Sequence, residues 1–273
     1  MAITAFQRDI CRLIADSRID AGESYVAGGV ALNTLLHAPR LSRDIDLFHD
    51  TREALLATWD ADRKRLETGA YDIDIIRERP TFVEAVVQRN DQTTIMQWVC
   101  DSAYRFFPLM KHPDFGLTLH PFDLATNKVL ALVGRLEVRD WIDIMACSNG
   151  LQHLGFLAWA ACGKDPGYSP AMILAEAKRS SHYSAAEVGE LAFEGEPPDA
   201  AQLARAWTVM LTESTALIDT LPPQEVGRCV LAADGTLFRG NAAAVREAYA
   251  RNELIFHEGV IRGALPSIVD ARP

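Results

Sequence analysis

Two glycines and two aspartates in the N-terminal half of the chain have the types and spacing of a phosphate and metal site. Gly28 and Gly29 follow the short apolar run 25–27 and open a segment of helical character. Adjacent glycines let a backbone approach a phosphate closely, and a helix N-terminus offers N–H groups and a positive dipole end. Asp44 and Asp46 follow about fifteen residues later, in an alternating polar and apolar segment that is typical of a strand.

The spacing of the two aspartates has a chemical consequence. At positions i and i+2 of a strand both side chains point to the same face. Two carboxylates so close repel each other, and a divalent cation between them relieves the repulsion. Nucleotidyl transfer uses such a cation to neutralise phosphate oxygens and to activate an incoming hydroxyl. The combination predicts Mg²⁺ held by Asp44 and Asp46, although each pair taken singly is more often a plain turn or a solvated strand face.

Polar residues just before the acidic pair are further candidates for binding nucleotide. The hydroxyl of Ser42 can hydrogen-bond a phosphate or, alternatively, cap the turn. The positively charged side chain of Arg43 can contact a nucleotide. Loop arginines such as Arg40 and Arg43 are mostly solvated, which is the other interpretation of both. We therefore predict nucleotide contacts from Gly28, Gly29, Ser42 and Arg43.

This order of motifs resembles the signature of the DNA polymerase β-like nucleotidyltransferase superfamily. More narrowly it resembles the AbiEii-type toxins, which are the nucleotidyltransferase component of a bacterial toxin–antitoxin system. The second part of the resemblance is the segment HPFDLATNK, which ends at Lys128, followed by RDWIDI at 139–144. In that family a lysine on a helix precedes an Arg-Asp-x-x-Asp-like motif. The resemblance covers roughly residues 22–148 and implies an NTP substrate, a tRNA or protein hydroxyl as acceptor, and a cognate antitoxin as partner.

The second motif also has a physical interpretation. If residues 124–145 form one continuous helix, the ionic side chains fall within about an 80° sector at roughly 100° per residue; they are Lys128, Arg135, Arg139 and Asp143. Lys128 could then reach a triphosphate as a point charge, and Asp143 or Asp140 could act as a base or hold Arg139. The alternative is a solvated face with an Arg139–Asp143 pair at i,i+4. Gly134 could interrupt the helix.

A third carboxylate, which the superfamily usually supplies from a neighbouring strand and often uses as the general base, has no obvious place. The strand at 93–100 carries Gln97 where an acid is expected. Asp101 at the end of that strand and Asp74 on the strand 71–76 are candidates. Alternatively, a carboxylate among residues 140–143 acts as the base, or the protein binds nucleotide without turning it over.

The remaining pattern predicts an α+β fold, a nucleotidyltransferase-type mixed sheet with flanking helices followed by a mainly helical C-terminal region. Helices are indicated at 3–18, 30–36 and 51–66, and strands at 71–76, 81–88 and 93–100. Prolines and a glycine between 108 and 121 mark a seam. We predict a nucleotidyltransferase-like domain over 1–115 and a helical domain over 116–273 that contributes Lys128 and Asp143. Its helices are expected at 123–133, 138–147, 170–179, 184–192, 199–220 and 241–252, and a hairpin at 229–239.

Composition limits the function classes. The chain has 273 residues, is 49% apolar, and has a net charge of −10, which argues against a dedicated duplex-DNA binder. No run approaches the roughly 20 apolar residues of a membrane span. The five cysteines and seven histidines lack metal-ligand spacing, so we expect reduced, mostly buried thiols and a cytoplasmic protein.

Three functions fit these patterns. The first is an AbiEii-like nucleotidyltransferase that transfers NMP from an NTP to a hydroxyl. The second is a small-molecule nucleotidyltransferase of the aminoglycoside-modifying type, because an acidic protein suits a cationic acceptor. The third is a nucleotide-binding module without catalytic activity.

Overall fold

The computed structural model describes residues 3–267, apart from the side chains of residues 181 and 182. The chain divides into two compact units. The first comprises residues up to 103 together with 108–120 and 193–195, and the second comprises 104–107, 121–192 and the residues from 196 onward. The main change from the first unit to the second falls after residue 120, whereas the sequence placed the division at 115/116. In addition, residues 104–107 belong to the second unit and residues 193–195 belong to the first.

The elements between residues 5 and 118 are two long helices, one short helix and eight strands: α1 (Ala5–Ala21), β1 (Ser24–Ala27), α2 (Gly28–Leu35), β2 (Asp44–His49), α3 (Arg52–Thr68), β3 (Asp72–Arg79), β4 (Phe82–Arg89), β5 (Gln92–Cys100), β6 (Tyr104–Arg105), β7 (Met110–His112) and β8 (Gly116–Thr118). All except β6 belong to the first unit. The predicted helices and strands of this region are confirmed, and the short strands β6, β7 and β8 were not predicted.

Seven strands form one sheet in the order β3-β4-β5-β2-β1-β8-β7. The pairs β2–β5 and β1–β8 are parallel and the other neighbours are antiparallel. The predicted mixed sheet is therefore confirmed. Its centre is β2, whose buried residues Ile45 and Leu47 alternate with half-buried ones, so one face packs in the core and the other is open.

Helices α1 and α3 cover the buried face. Helix α1 begins at a capping box in which Thr4 and Gln7 exchange hydrogen bonds. Beneath the sheet Arg18 of α1 forms a fully buried ion pair with Asp62 of α3. The same carboxylate accepts a hydrogen bond from Trp98 Nε1 of β5 at 2.8 Å. These contacts fix both helices against the strand that neighbours β2.

The second unit is mainly helical, as predicted. Besides β6 it contains α4 (Pro121–Arg135), α5 (Val138–Gly150), α6 (Leu154–Lys164), α7 (Pro170–Ala177), a 3₁₀ turn (Lys178–His182), α8 (Ala185–Gly189), α9 (Ala200–Ile218), a 3₁₀ turn (Pro223–Glu225), β9 (Cys229–Ala232), α10 (Ala242–Ala250), β10 (Leu254–His257) and β11 (Val260–Ile261). Its core packs Phe156 and Trp159 of α6 against Leu217, Val230 and Val245. Within residues 3–267 no helix is long and apolar enough to cross a membrane.

The helices predicted at 123–133 and 138–147 are confirmed as α4 and α5. The single continuous helix considered over 124–145 therefore does not form, and Leu136, with a left-handed φ of 52°, lies between the two. Two other expectations about this unit were incomplete. Helix α6 was missed, because its apolar residues surround the helix and leave no amphipathic period. Strand β9 pairs mainly with β10, although the predicted turn at Gly235 (φ 82°) does return the chain to a bridge between Leu231 and Leu237.

Candidate functional site

The acidic pair lies on the open face of the central strand. Asp44 and Asp46 are half-buried, whereas Ile45 between them is fully buried. The two carboxylates therefore share one face, as their spacing requires. They are accessible from solvent and rest on a strand that is hydrogen-bonded on both sides.

Gly28 makes room for the second of these acids. Strand β1 pairs with β2 so that Ala27 lies opposite Asp46, and the chain then turns into α2 at Gly28 with a φ of 63°. A Cβ built on Gly28 would lie 1.8 Å from Asp46 Oδ2. Any side chain at position 28 would therefore occupy the place of the Asp46 carboxylate. The glycine allows the N-terminus of α2 and the acidic pair to lie together.

Gly29 allows a second close approach. A Cβ at this position would lie 2.6 Å from Arg40 Nη2 and 2.9 Å from Ser42 Oγ. Arg40 is only 5% exposed, so the expectation that it is solvated was wrong. The structure thus brings Ser42 and a buried guanidinium to the first turn of α2. Neither local sequence nor composition indicated that Arg40 would be buried there.

The segment before β2 is fixed from two sides. Gln7 Nε2 donates to Ser42 O at 3.0 Å, and Thr94 Oγ1 donates to Arg43 O at 3.1 Å. Gln7 and Thr94 are themselves buried, and Gln7 Nε2 donates to Thr94 Oγ1 at 3.3 Å. Side chains from α1 and β5 therefore hold the backbone that carries Ser42, Arg43 and the acidic pair. This support is the kind that keeps a binding site preorganised.

The acids that were candidates for the third carboxylate are not next to Asp46. The register places Gln97 of β5 beside Asp46. Asp101 lies four residues further along the chain, just after β5 ends at Cys100, roughly 13 Å away at about 3.3 Å per residue. Asp74 lies on β3, three strands from β2. The acid that lies closer is Glu84 of β4, which pairs with Gln97 and accepts a hydrogen bond from Gln97 Nε2 at 2.8 Å.

His49 lies on the buried side of β2, beneath the acidic pair. Its Nδ1 lies 3.1 Å from Val99 O and its Nε2 lies 2.7 Å from Thr58 Oγ1. Burial, aided by the nearby charge of Arg18, lowers the pKa of His49 to about 3. The imidazole is therefore neutral at pH 7 and serves as a packed hydrogen-bonding group.

The second unit contains a separate ionic cluster between α4 and α5. Lys128 Nζ lies 3.0 Å from Asp140 Oδ1 and 3.1 Å from Asp143 Oδ2, and all three side chains are buried. Arg135 adds two hydrogen bonds to Asp140, at 2.6 and 2.9 Å. Two cations thus balance two anions. Lys128 and Asp143 do come together, but across the break between two helices and not along one helix.

The cluster determines the charge of Asp140. Burial favours the neutral acid, but the hydrogen bonds from Arg135 and the charge of Lys128 outweigh it and hold the pKa of Asp140 below its ordinary value. Asp140 is therefore an anion that positions Lys128. Arg139, for which a contact with Asp140 or Asp143 was one interpretation, forms an ion pair with Glu137 at 2.7 Å.

The donor set on the open face suits Mg²⁺. Among the described residues no group of three or more His, Cys, Asp or Glu side chains is arranged to hold a metal ion. Mg²⁺ usually keeps several waters and takes one or two carboxylates together with substrate phosphates, so Asp44 and Asp46 could hold it without a third protein ligand. The cysteines offer no alternative, since burial raises the thiol pKa of Cys11 and of Cys162 to about 12.

Comparison with known proteins identifies the fold. No protein-family profile and no curated protein sequence matches the chain. Among solved structures, a candidate nucleotidyltransferase from H. pylori superposes with a TM-score of 0.53 at 15% identity, covering 80% of this chain and 97% of that one. JHP933 from Helicobacter pylori gives 0.49 at 16% identity with 77% and 91% coverage, and the nucleotidyltransferase toxin MenT4 from Mycobacterium tuberculosis gives 0.43 at 12% with 81% and 86%. The first of these superpositions shows that the chain has a nucleotidyltransferase fold.

Proposed function

We propose that this protein is a Mg²⁺-dependent nucleotidyltransferase that transfers NMP from an NTP to a hydroxyl group. One observation carries the proposal: Asp44 and Asp46 share the open face of β2 directly beside the N-terminus of α2, where only a glycine at position 28 leaves room for the Asp46 carboxylate. A helix N-terminus favours phosphate, and paired carboxylates favour its counter-cation. The nucleotidyltransferase fold supports the same conclusion.

The residues of the chain would divide the work as follows. Asp44 and Asp46 would hold Mg²⁺, and the chemistry such an ion supplies is to neutralise phosphate charge and to activate the acceptor hydroxyl. Ser42 and the backbone at Gly28 and Gly29 bind phosphate oxygens, and Arg43 adds a cation. The acceptor oxygen would bond to the α-phosphorus, the bond from that phosphorus to the bridging oxygen would break, and pyrophosphate would leave, while the hydroxyl proton passes to the general base.

The roles of the second unit are part of this proposal and rest on the sequence motif. Lys128 would bind triphosphate, with Asp140 and Asp143 as its positioning partners, since both carboxylates contact its amine. Asp101, directly after the end of β5, is the general base that we propose from the sequence. Removing either group should then lower the rate of transfer.

At the finer level we propose an AbiEii-like toxin. The motifs around Gly28, Asp46 and Lys128 favour that family, which implies a tRNA 3′ end or a protein hydroxyl as acceptor and an antitoxin that restrains the activity in the cytoplasm. Co-expression in a bacterial host tests this: the wild type should arrest growth and alter tRNA 3′ ends, and the Asp46→Ala variant should do neither.

A second candidate is a small-molecule nucleotidyltransferase. The net charge of −10 favours a cationic acceptor such as an aminoglycoside. The two candidate functions can be distinguished by incubating purified protein with Mg²⁺, each α-labelled NTP, and either tRNA or aminoglycosides. Label should appear in only one of the two acceptor classes.

The experiment has a matched control. Asp46→Asn removes one site carboxylate, and Asp60→Asn removes an exposed carboxylate on α3 that pairs with Lys64. Labelling should disappear in the first variant and persist in the second. If nucleotide binding, metal dependence and toxicity were all unchanged in Asp44→Ala and Asp46→Ala, a non-catalytic module would be the better description.

A further inference from the structure

A row of polar side chains crosses the open face of the sheet beside Asp46. Asp46 of β2 pairs with Gln97 of β5, and Gln97 pairs with Glu84 of β4. All three side chains are half-buried, while their strand neighbours Leu47, Trp98 and Ala85 are buried. Because directly paired residues share a face, the three groups lie side by side on the same surface. Glu84 is therefore the acid two strands away from the predicted metal ligands.

The hydrogen bond between Gln97 and Glu84 fixes the direction of an amide. Gln97 Nε2 donates to Glu84 Oε1 at 2.8 Å. An ionised carboxylate only accepts hydrogen bonds, so Gln97 must turn its NH₂ group toward Glu84. The carbonyl oxygen is at the opposite end of the planar amide and is directed away from β4. The strand on that side is β2, which carries Asp46.

We propose that Glu84 is a positioning residue that orients Gln97, so that the carbonyl oxygen of Gln97 faces the cation and nucleotide bound at Asp46. This inference rests on the proposed function. If the amide were free to turn, its NH₂ group would donate to the Asp46 carboxylate and compete with a cation for it. Held as it is, Gln97 offers Mg²⁺ or its water ligands a neutral oxygen at the place where related enzymes carry a third acid.

The arrangement also limits the charge of the site. A carboxylate at position 97 would lie beside both Asp46 and Glu84, and three neighbouring anions would raise the repulsion on the sheet face. Gln97 avoids this by separating two anions with a neutral group that bonds to one of them. Partners that orient ligands in this way typically change metal affinity or activity by about ten- to a hundredfold when they are mutated.

Titration of the full chain with Mn²⁺ alone, followed by electron paramagnetic resonance, tests the proposal. In Glu84→Gln, either amide of the new Gln–Gln pair can donate, so Gln97 loses its fixed direction and Mn²⁺ affinity should fall about tenfold. The exchange Gln97→Glu with Glu84→Gln restores a pair of one carboxylate and one amide, with the carboxylate now beside Asp46. This double variant should bind Mn²⁺ at least as tightly as the wild type.

Glu78→Gln is the matched control, because Glu78 is an exposed carboxylate on β3 that pairs with Val83 and stands outside the row. It should bind Mn²⁺ as the wild type does. Thermal unfolding of every variant checks that the sheet is intact, and a midpoint like that of the wild type in Glu84→Gln ties the loss of affinity to the site.

Two results would overturn the inference alone: Glu84→Gln retaining Mn²⁺ affinity within about twofold of the wild type, or the exchanged pair losing as much affinity as Glu84→Gln. Either would show that Glu84 only links two strands. By contrast, a wild type that does not bind Mn²⁺, or an Asp46→Asn variant that binds it equally well, would remove the proposed metal site and the inference with it.

Discussion

Two pairs of aspartates, one in each unit, have opposite environments. Asp44 and Asp46 are half-buried on an open strand face, whereas Asp140 and Asp143 are buried between two helices. The second pair contacts Lys128, and Arg135 bonds Asp140. A buried anion must have such partners, because an uncompensated charge in the core is strongly destabilising. The open pair lies on a strand that is hydrogen-bonded on both sides, on the face that a ligand can approach from solvent.

The comparison teaches that an acidic motif alone does not show whether its charge serves folding or binding. Both pairs stand in sequence motifs of the same resemblance, yet only the surroundings distinguish them. On this basis we expect substitutions in the open pair to change activity more than stability, and substitutions in the buried cluster to change stability first.

The largest expected effect is on transfer by Asp46→Asn. Loss of one metal ligand should lower the rate about a thousandfold, equivalent to several kcal/mol of charge stabilisation. The free energy of unfolding should change by less than about 1 kcal/mol, since removing one of two neighbouring like charges relieves repulsion. Labelled-NTP assays and urea unfolding measure both. If Asp46→Asn were strongly destabilised but kept its normal transfer activity while folded, the open pair would serve stability more than activity, which is the opposite of our expectation.

Lys128→Met should have the largest effect on stability. It leaves Asp140 and Asp143 buried with one cation fewer, and breaking a buried pair in this way costs about 3–5 kcal/mol. Urea unfolding measures the loss. If the variant were as stable as the wild type and lost only transfer activity, the contacts of Lys128 with Asp140 and Asp143 would not stabilise the second unit, and the contrast between the two aspartate pairs would not hold.

Gly28→Ala, compared with Gly22→Ala, distinguishes the cost of backbone strain from the effect on the candidate site. A left-handed φ costs an alanine roughly 1–2 kcal/mol, and Gly22→Ala, at φ 66° with no atom within 4 Å of its Cβ, should show this cost alone. At position 28 the new methyl group also displaces the Asp46 carboxylate, so transfer should fall about a hundredfold as well. Equal activity of the two variants would show that the approach of Gly28 to Asp46 has no role in the reaction.

Acidification should destabilise the first unit through His49. The folded pKa is about 3 and the unfolded value is about 6.5, so below pH 6.5 the unfolded state binds a proton that the folded state does not. The free energy of unfolding should therefore fall by up to about 1.4 kcal/mol per pH unit between pH 6.5 and pH 3. His112 and His153, whose pKa values burial also lowers, act in the same direction.

The contribution of His49 is isolated by difference. Unfolding of His49→Gln, measured over the same pH range, should show a shallower dependence than the wild type, because glutamine does not titrate. Parallel curves for the two proteins would mean that His49 is protonated in the folded state and that its burial does not govern the pH response.

The smallest effect is expected for Lys64→Met. Lys64 pairs with Asp60 at 2.6 Å, but both side chains are about two-thirds exposed. Exposed i,i+4 pairs contribute only about 0.3–0.5 kcal/mol. Set against Lys128→Met, this variant measures how much burial adds to a lysine–aspartate contact. A loss of several kcal/mol from this variant would contradict the assignment of the difference to burial.

Much of the fold follows from local pattern. The alternation around Asp44, the helical spacing in α1 and α3, and the mixed sheet were all predicted, and the structure confirms them. Helix α6 was not predicted, since a helix that is buried on all sides has no polar face to reveal its period. The separation of α4 from α5 was predicted, but the left-handed φ at Leu136 was not, because it depends on how the two helices pack and not on the leucine itself.

The sequence by itself determined that two glycines open a helix and that Asp44 and Asp46 share a strand face, because both depend on residues a few positions apart. Only the tertiary structure decided that Asp46 fills the space beside Gly28 and that Gln97 turns its amide toward Glu84. It also decided that Lys128 meets Asp143 across two helices. These contacts join residues far apart in the chain, and strand order and helix packing, which no local pattern encodes, bring them together.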